Sequence, residues 1–540
     1  MKLMRGLAIV PVLALLCLHA SAAPPVLESF FPPGGKKGTE IELTLNGKID
    51  PWPCSLWFSQ KGITFTPDPA KNGSGKLKIA PETPAGPLFI RAYNAEGGTA
   101  PLIFFVSEEN EVSEEEKDNS TLASATLLDR GKLPFVLNGT LSAGGELDSF
   151  RVALEKGETL YAEVEAYALR SMVDPAIHLH DAKGNRLLLE HDGPNNLDPG
   201  FTFVCPEKGE YIISLAGFSH PPAASVAYTG SKSANYRLHL ALKREQLPKH
   251  LGPANPGPDS AGDLLVSGKP VIGTLKTAGT VNRYKITAKK GDKLLVKVEG
   301  RDLGYAIDPV LRILKADGSE IRKEDDTGKS SDPEYLWTVA ADGEYGITVA
   351  DRFARGGETM RYRLTAVPPL ADFTVTLDKA VYVIEHGKPL EIKTTVTRLQ
   401  GHKENLIFSL PGLPAGITLT APGTVPEKGG EVVLKLEAKA DAPAFSGAVR
   451  VLVTEKKAEG KGAEKTAVFS FKDDNYRGPY SVNEVADVWL TLAPKKEEKK
   501  PEPKKEEKKP EPKKEEKKPE PKKEEKKPVP KKEEKAAEKK

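Results

Sequence analysis

The sequence predicts an all-β chain of tandem β-sandwich domains followed by a disordered C-terminal tail, and three observations carry that expectation. Short segments with period-two alternation, broken by Gly, Pro and Asp about every eight to twelve positions, run through most of the chain. Residues 150–215 can be laid on 284–349 without a gap, Phe150 meeting Tyr284, at a constant offset of 134 residues. The last residues repeat KKEEKKPEP, a unit of Lys, Glu and Pro alone, with Val529, Ala536 and Ala537 too few to form a core. A chain of 540 residues is too long for one core, and at roughly 100 to 150 residues per domain it should hold about three to five.

The N-terminus carries Lys2 and Arg5, an apolar run from Leu7 to Leu18, then Ala20-Ser21-Ala22. That order reads as a secretory signal over 1–22, with Cys17 inside its apolar core. The run is short for a membrane span, and no later stretch approaches the length required, so the mature chain is expected to have no transmembrane segment.

Residues 24–107 contain EIELTLNG, SLWFS, KLKIA, PLFIRAYN and PLIFFV, each bounded by Gly or Pro. The opening PVLESFFPPGGKKGTEIELTLNG and the closing APETPAGPLFIRAYNAEGGTAPLIFFV resemble TIG domains, which implies an immunoglobulin-like sandwich. Residues 108–130 are acidic, lack an apolar period over their first part, and read as a linker or domain lead-in.

The repeat then follows as 131–245 and 263–369, joined by a linker at 246–262. Its two copies share Gly157 with Gly291, Asp174-Pro175 with Asp308-Pro309, Asp198-Pro199 with Asp332-Pro333, and Gly209-Glu210-Tyr211 with Gly343-Glu344-Tyr345. Strand segments such as TLYAEVEA/KLLVKVEG and YIISLAG/YGITVAD predict a jelly-roll-like or immunoglobulin-like sandwich of about seven or eight strands. The ordered motif set, occurring twice, resembles the bacterial pre-peptidase C-terminal domain. That resemblance implies a non-catalytic β-sandwich of exported proteins, used in surface or matrix binding and in secretion. Residues 370–493, with LPGLPAGITLTAPGTVPEKGGEVVLKLEAKADAP, resemble immunoglobulin-like modules of exported bacterial proteins. The tail, 494–540, should be extended, reaching about 140 Å at ~3.1 Å per residue.

Charge narrows the partners. From Lys495 onward there are 21 Lys and 14 Glu, a surplus of +7 against +2 for the whole chain, so the rest sums to −5. A mildly acidic folded part argues against nucleic acid. No GxSxG, HExxH, CxxC or Gly-rich phosphate loop is present, which points away from an enzyme. Cys54 and Cys205 fall in different expected domains and read as buried free thiols, the alternative being a disulfide between them in an oxidising compartment.

Two features invite a metal. His178 and His180 put two imidazoles on one strand face, a pattern suited to zinc, but their counterparts are Arg312 and Leu314, and Ile177 and Leu179 can serve the core. The acidic loops EHDGPNNLDPG and KEDDTGKSSDPE place Asp192 with Asp198 and Asp326 with Asp332, carboxylates suited to calcium; the alternative is that these Asp residues only form turns. The pre-peptidase resemblance implies a further calcium site at the first copy's lead-in, from Glu114, Glu116, Asp118 and Asn119; the second lead-in, GPANPGPDSAGD, has fewer carboxylates. Among the tryptophans, Trp57 and Trp337 read as core, and Trp52, in a loop, is the better candidate for the exposed aromatic a glycan-binding sandwich would use.

The expected function is that of an exported, non-catalytic binding or adhesion scaffold, monomeric, in the periplasm, at the cell surface or outside the cell. Its partner would be a glycan, a matrix component or an exported protein. The alternative is a docking accessory of a separately encoded exported enzyme such as a peptidase.

Overall fold

The computed structural model describes residues 23–495 apart from 116–117, 194–195, 223, 225–226, 329, 421–424, 458–459 and 472–481. The expected leader, the tail beyond Lys495 and Glu116 therefore lie outside the described residues. Among the described residues no helix is long and apolar enough to cross a membrane.

Strand is the dominant element, as the alternation predicts. In Glu40–Lys48 the chain buries Leu43 and Leu45 and turns Glu40, Glu42 and Thr44 to solvent. Val281–Ala288 does the same with Tyr284, Ile286 and Ala288. Four hydrophobic cores result, one built around Leu43, Leu77 and Phe104, one around Phe150, Ile213 and Leu238, one around Ile286, Ile347 and Leu364, and one around Phe373, Leu434 and Leu490. Fully burying one such Leu, Ile or Phe contributes roughly 1.5–3 kcal/mol. Cys54 and Cys205 are buried free thiols in separate cores.

The two copies have the same sheets. In the first, Phe135–Thr140, Asn235–Ala241, Thr159–Glu165 and Gly200–Val204 form one layer in that order. Asp148–Leu154, Gly209–Ser219, Val173–Asp181 and Arg186–Glu190 form the other. The second copy repeats both orders with Val271–Thr274, Arg361–Val367, Lys293–Glu299 and Glu334–Thr338, and with Val281–Ala288, Gly343–Asp351, Pro309–Leu314 and Glu320–Glu324.

The first copy adds an edge strand to each layer. The acidic segment supplies them: Asn110–Ser113 runs parallel to Phe135–Thr140, and Thr126–Leu127 parallel to Asp148–Leu154. Backbone pairing needs no apolar period, which is why the composition of this segment did not announce it.

The chain also folds back on itself. Phe89, Ile103 and Phe105 of the N-terminal sandwich form a small cluster with Leu169 of the first copy and Val485 near the C-terminus. Arg91, fully buried, donates to the carbonyls of Thr99 at 2.6 Å and Asp487 at 3.0 Å. Trp489 packs on Tyr93 and Trp57, with ring centroids 4.9 and 6.1 Å apart, and a Cβ at Gly98 would come within 2.5 Å of its indole. Trp57 thus serves a contact between sandwiches rather than the interior of one. Trp52 is half-buried against its own core and donates its indole N–H to the Asp68 carbonyl at 2.7 Å, so it forms no free platform.

Candidate functional site

Cover from the N-terminal sandwich decides the chemistry of one face of the first copy. Asn235–Ala241 is buried at every position, whereas its counterpart Arg361–Val367 alternates. Under that cover, Arg237 bonds Glu165, Glu111 at 2.7 Å and the Ser107 hydroxyl at 2.7 Å. His239 and His250 each place Nε2 2.7 Å from Glu165, on different oxygens. Burial alone would raise the Glu165 carboxyl, but Arg237, His250 and His239 hold it well below the usual carboxylate range. A Cβ at Gly34 would meet Arg237 Nε at 2.7 Å, so the close approach of the two sandwiches requires glycine there. This is a structural hub in which every charged side chain has an ionic partner, although Arg237 Nε and His239 Nδ1 make no hydrogen bond.

A second charged cluster lies where the acidic segment joins the first copy. Asp148 is 1% exposed, and its Oδ2 has no hydrogen-bond partner. Burial, then the neighbouring Glu114, pushes its carboxyl up to about 8. Glu114 is itself raised by burial while accepting from the Asn119 amide at 2.7 Å. Both carboxylates face the Tyr236 hydroxyl, which is fully buried, and Tyr236 lies 3.4 Å from Glu114 Oε2. Gly139 permits this convergence, since a Cβ there would come within 2.2 Å of the Tyr236 hydroxyl and 2.7 Å of Glu114.

Of the residues expected here, Glu114 and Asn119 are brought together. Asp118 is exposed and accepts from the Ser120 N–H at 3.0 Å instead. Asp148 was missed from the sequence.

In the second copy the same place keeps one lead-in carboxylate, Asp259, which accepts from the Thr274 hydroxyl at 2.8 Å and lies 3.6 Å from Arg361, but has no counterpart of Asp148. Asn282 stands where Asp148 stands in the first, and donates to the Tyr362 hydroxyl at 2.8 Å; Tyr284 and Tyr362 share a hydroxyl–hydroxyl bond of 2.7 Å.

The acidic loops do not act as the pairs their spacing suggested. Asp198 Oδ1 accepts from the N–H groups of Ala166 at 2.8 Å and Tyr167 at 2.7 Å, and Oδ2 from Ala168 at 2.8 Å. Asp332 repeats this on Gly300, Arg301 and Asp302 at 2.9, 2.9 and 2.8 Å. Each carboxylate is buried and closes a distant turn, which uses both its oxygens. Asp192 and Asp326 point elsewhere. Asp192 faces His191, at 3.6 Å, and His191 in turn faces Asp174, also at 3.6 Å. Asp326 lies 3.3 Å from Arg352, which also reaches Asp325 at 3.6 Å.

The His191 surface opens into a cleft of about 530 Å³ on the outer face of the second layer, lined among others by Asp174, His178, Arg186, Leu189, Phe218 and Tyr228. Ile177 and Leu179, flanking His178, are fully buried in the core. Aromatic rings beside carboxylate, guanidinium and imidazole groups can stack on and hydrogen-bond a polar ligand. At the 134-residue offset Phe218 becomes Arg352, whose guanidinium is taken up by acidic neighbours.

No family model and no curated protein matches the sequence. Solved structures similar to it include the N-terminal four Ig domains of Dscam1 isoform 4.4, at 13% identity and a TM-score of 0.16, covering 82% of this chain and 97% of that one. Fibronectin(III)-like modules of Clostridium thermocellum CbhA match at 14% identity and a TM-score of 0.13, over 42% of this chain and 93% of that one. Domains 1–6 of the surface layer protein SbsC match at 10% identity and a TM-score of 0.15, over 87% and 54%. The likeness is one of repeated immunoglobulin-like and fibronectin-III-like β-sandwich modules and of nothing finer.

Proposed function

We propose that the chain is an exported, non-catalytic binding scaffold whose two copies are pre-peptidase C-terminal domains, and that the first copy is its binding module for a glycan or an exported protein. The observation that carries this is the cleft at Asp174, His191, Phe218 and Tyr228; at the repeat offset its Phe218 is replaced by Arg352, which lies 3.3 Å from Asp326. The other sandwiches hold this module: the hub at Arg237 and the cluster at Phe89, Ile103 and Leu169 fix it to its neighbours.

Calcium suits the first lead-in. Two buried carboxylates facing each other, one with an oxygen lacking any partner, are short of a cation, and a hard oxygen-binding ion supplies it. Glu114 and Asp148 would hold it, with Asn119 orienting Glu114 and the Tyr236 hydroxyl alongside. Its role is to tie the acidic segment to the sandwich. Asp192, Asp198, Asp326 and Asp332 are not part of this proposal, because Asp198 and Asp332 are committed to backbone donors and Asp326 to Arg352.

The test is retention of the mature chain on isolated cell-wall polysaccharide, comparing wild type, Tyr228→Ala and a chain ending at Pro494. Retention lost with Tyr228→Ala and kept without the tail supports the cleft. Retention lost only with the tail overturns it and assigns binding to the lysines. Absence of retention together with one stoichiometric co-purifying enzyme also overturns it, in favour of a docking accessory.

A further inference from the structure

We propose that Asp174, His191 and Asp192 form a site for a divalent transition-metal ion of the zinc class on the wall of the first copy's cleft. One ligand atom from each lies within 4.8 Å of the other two. Ligands on one tetrahedral zinc are about 3.3–3.5 Å apart, given bonds of about 2.0–2.2 Å, so closure needs a shift of about 1 Å by side chains at a cleft surface. Asp174 Oδ1 is buried and accepts no hydrogen bond, and the same holds for Asp308 Oδ1 in the second copy, but only Asp174 has an imidazole nitrogen, His191 Nε2, facing it at 3.6 Å.

The second copy gives the independent argument. There the equivalent carboxylates, Asp308 and Asp326, lie near guanidinium groups: Arg352 reaches Asp325 and Asp326, Arg301 and Arg352 act on Asp308 through their charge, and Arg355 binds the adjoining Asp351 at 2.8 and 3.0 Å. At the 134-residue offset, Arg301, Arg352 and Arg355 are replaced by Tyr167, Phe218 and Pro221, while Asp325 becomes His191. The first copy thus keeps the carboxylate pair, loses all three guanidinium groups and gains an imidazole between the carboxylates. Side-chain cations have been exchanged for a metal-binding donor.

The donor set selects the ion. One imidazole and two carboxylates suit zinc or a neighbouring transition metal. Calcium takes six to eight oxygens and magnesium prefers oxygen and water, so neither matches. Three protein ligands leave a coordination position toward the cleft, where a carbonyl, hydroxyl or carboxylate of a bound molecule could complete the set. The site does not depend on a glycan being that molecule.

The experiment is calorimetric titration of zinc chloride into the untagged mature chain after chelator treatment, with cobalt absorption as a second readout. One saturable equivalent is expected, weakened at least about tenfold by His191→Ala and by Asp174→Asn. Phe218→Arg, which restores the second copy's guanidinium, should abolish it. His178→Ala with His180→Ala, and Asp148→Asn, should leave it unchanged. His191 is 43% exposed, so its replacement does not threaten folding. The proposal is overturned by the absence of a saturable equivalent, by an equivalent insensitive to both His191→Ala and Phe218→Arg, or by one that follows His178 and His180.

Discussion

The pair Arg237–Glu165 in the first copy and the pair Arg363–Glu299 in the second are the same interaction in two surroundings. Glu165 and Glu299 are related by the repeat offset, and each arginine comes from the strand beside it. In the first copy the two side chains are 1% and 2% exposed; in the second, at 2.7 Å, they are 38% and 15% exposed. The N-terminal sandwich covers one pair and leaves the other wet. Identical residues in an identical fold therefore carry different energies, because burial removes the water that would otherwise screen and replace the bond.

The largest expected effect comes from that difference. Arg237→Ala strands Glu165 and Glu111 without water and should destabilise the first copy by about 3–5 kcal/mol. Arg363→Ala should cost the second copy only about 0.2–1 kcal/mol. Hydrogen exchange in Phe135–Thr140 and Val271–Thr274 reads the two separately, and equal losses would break the comparison.

Next is a similarity. Asp198→Ala and Asp332→Ala each leave three backbone N–H groups without an acceptor, and should cost the two copies alike, about 2–3 kcal/mol. Faster exchange confined to 166–168 in one variant and to 300–302 in the other would sharpen the equivalence. Tolerance of either change would mean that the shared Asp does not close the same turn in both.

A smaller effect separates the copies by pH. The Asp148 carboxyl is pushed from the ordinary 3.8 to about 8 in the fold. Without a bound cation the folded form keeps a proton that the unfolded chain gives up. Its stabilisation is thus full below about pH 4 and is lost as pH rises toward 8. Asp148→Asn, which copies Asn282, should flatten this dependence and raise the melting temperature at pH 8 by a few degrees. A flat profile in the wild type would remove the argument that this carboxylate is short of a cation.

Much of the fold was legible in the sequence, since alternation and turn residues report which face of a strand is buried and the gapless offset reports a shared topology. What the offset could not show is where a side chain is used. Asp198 was expected to act with Asp192 and Asp332 with Asp326, yet the partners of Asp198 and Asp332 are N–H groups about thirty residues upstream that carry no side-chain signature. Asp148 was readable in principle: it faces Asn282 within the otherwise matching segments DSFRVAL and VNRYKITA. Such a difference between copies marks a change of role. His191 opposite Asp325 and Phe218 opposite Arg352 are of the same kind. Arg237 and Trp57 were beyond reach, because their surroundings come from strands far along the chain, and Trp52 was misjudged because a loop tryptophan can fold its indole back onto a carbonyl.

If Glu114 and Asp148 hold calcium, the ion ties the acidic segment to the first copy, whereas the second copy, with Asn282 in place of Asp148, lacks that carboxylate pair. The most direct measurement is hydrogen exchange of the mature chain with and without excess calcium, read peptide by peptide. Slower exchange is expected in 110–113, 135–140 and 148–154, with no change in 271–274 and 281–288. Equal protection of both copies, or none in the first, would contradict calcium binding at Glu114 and Asp148.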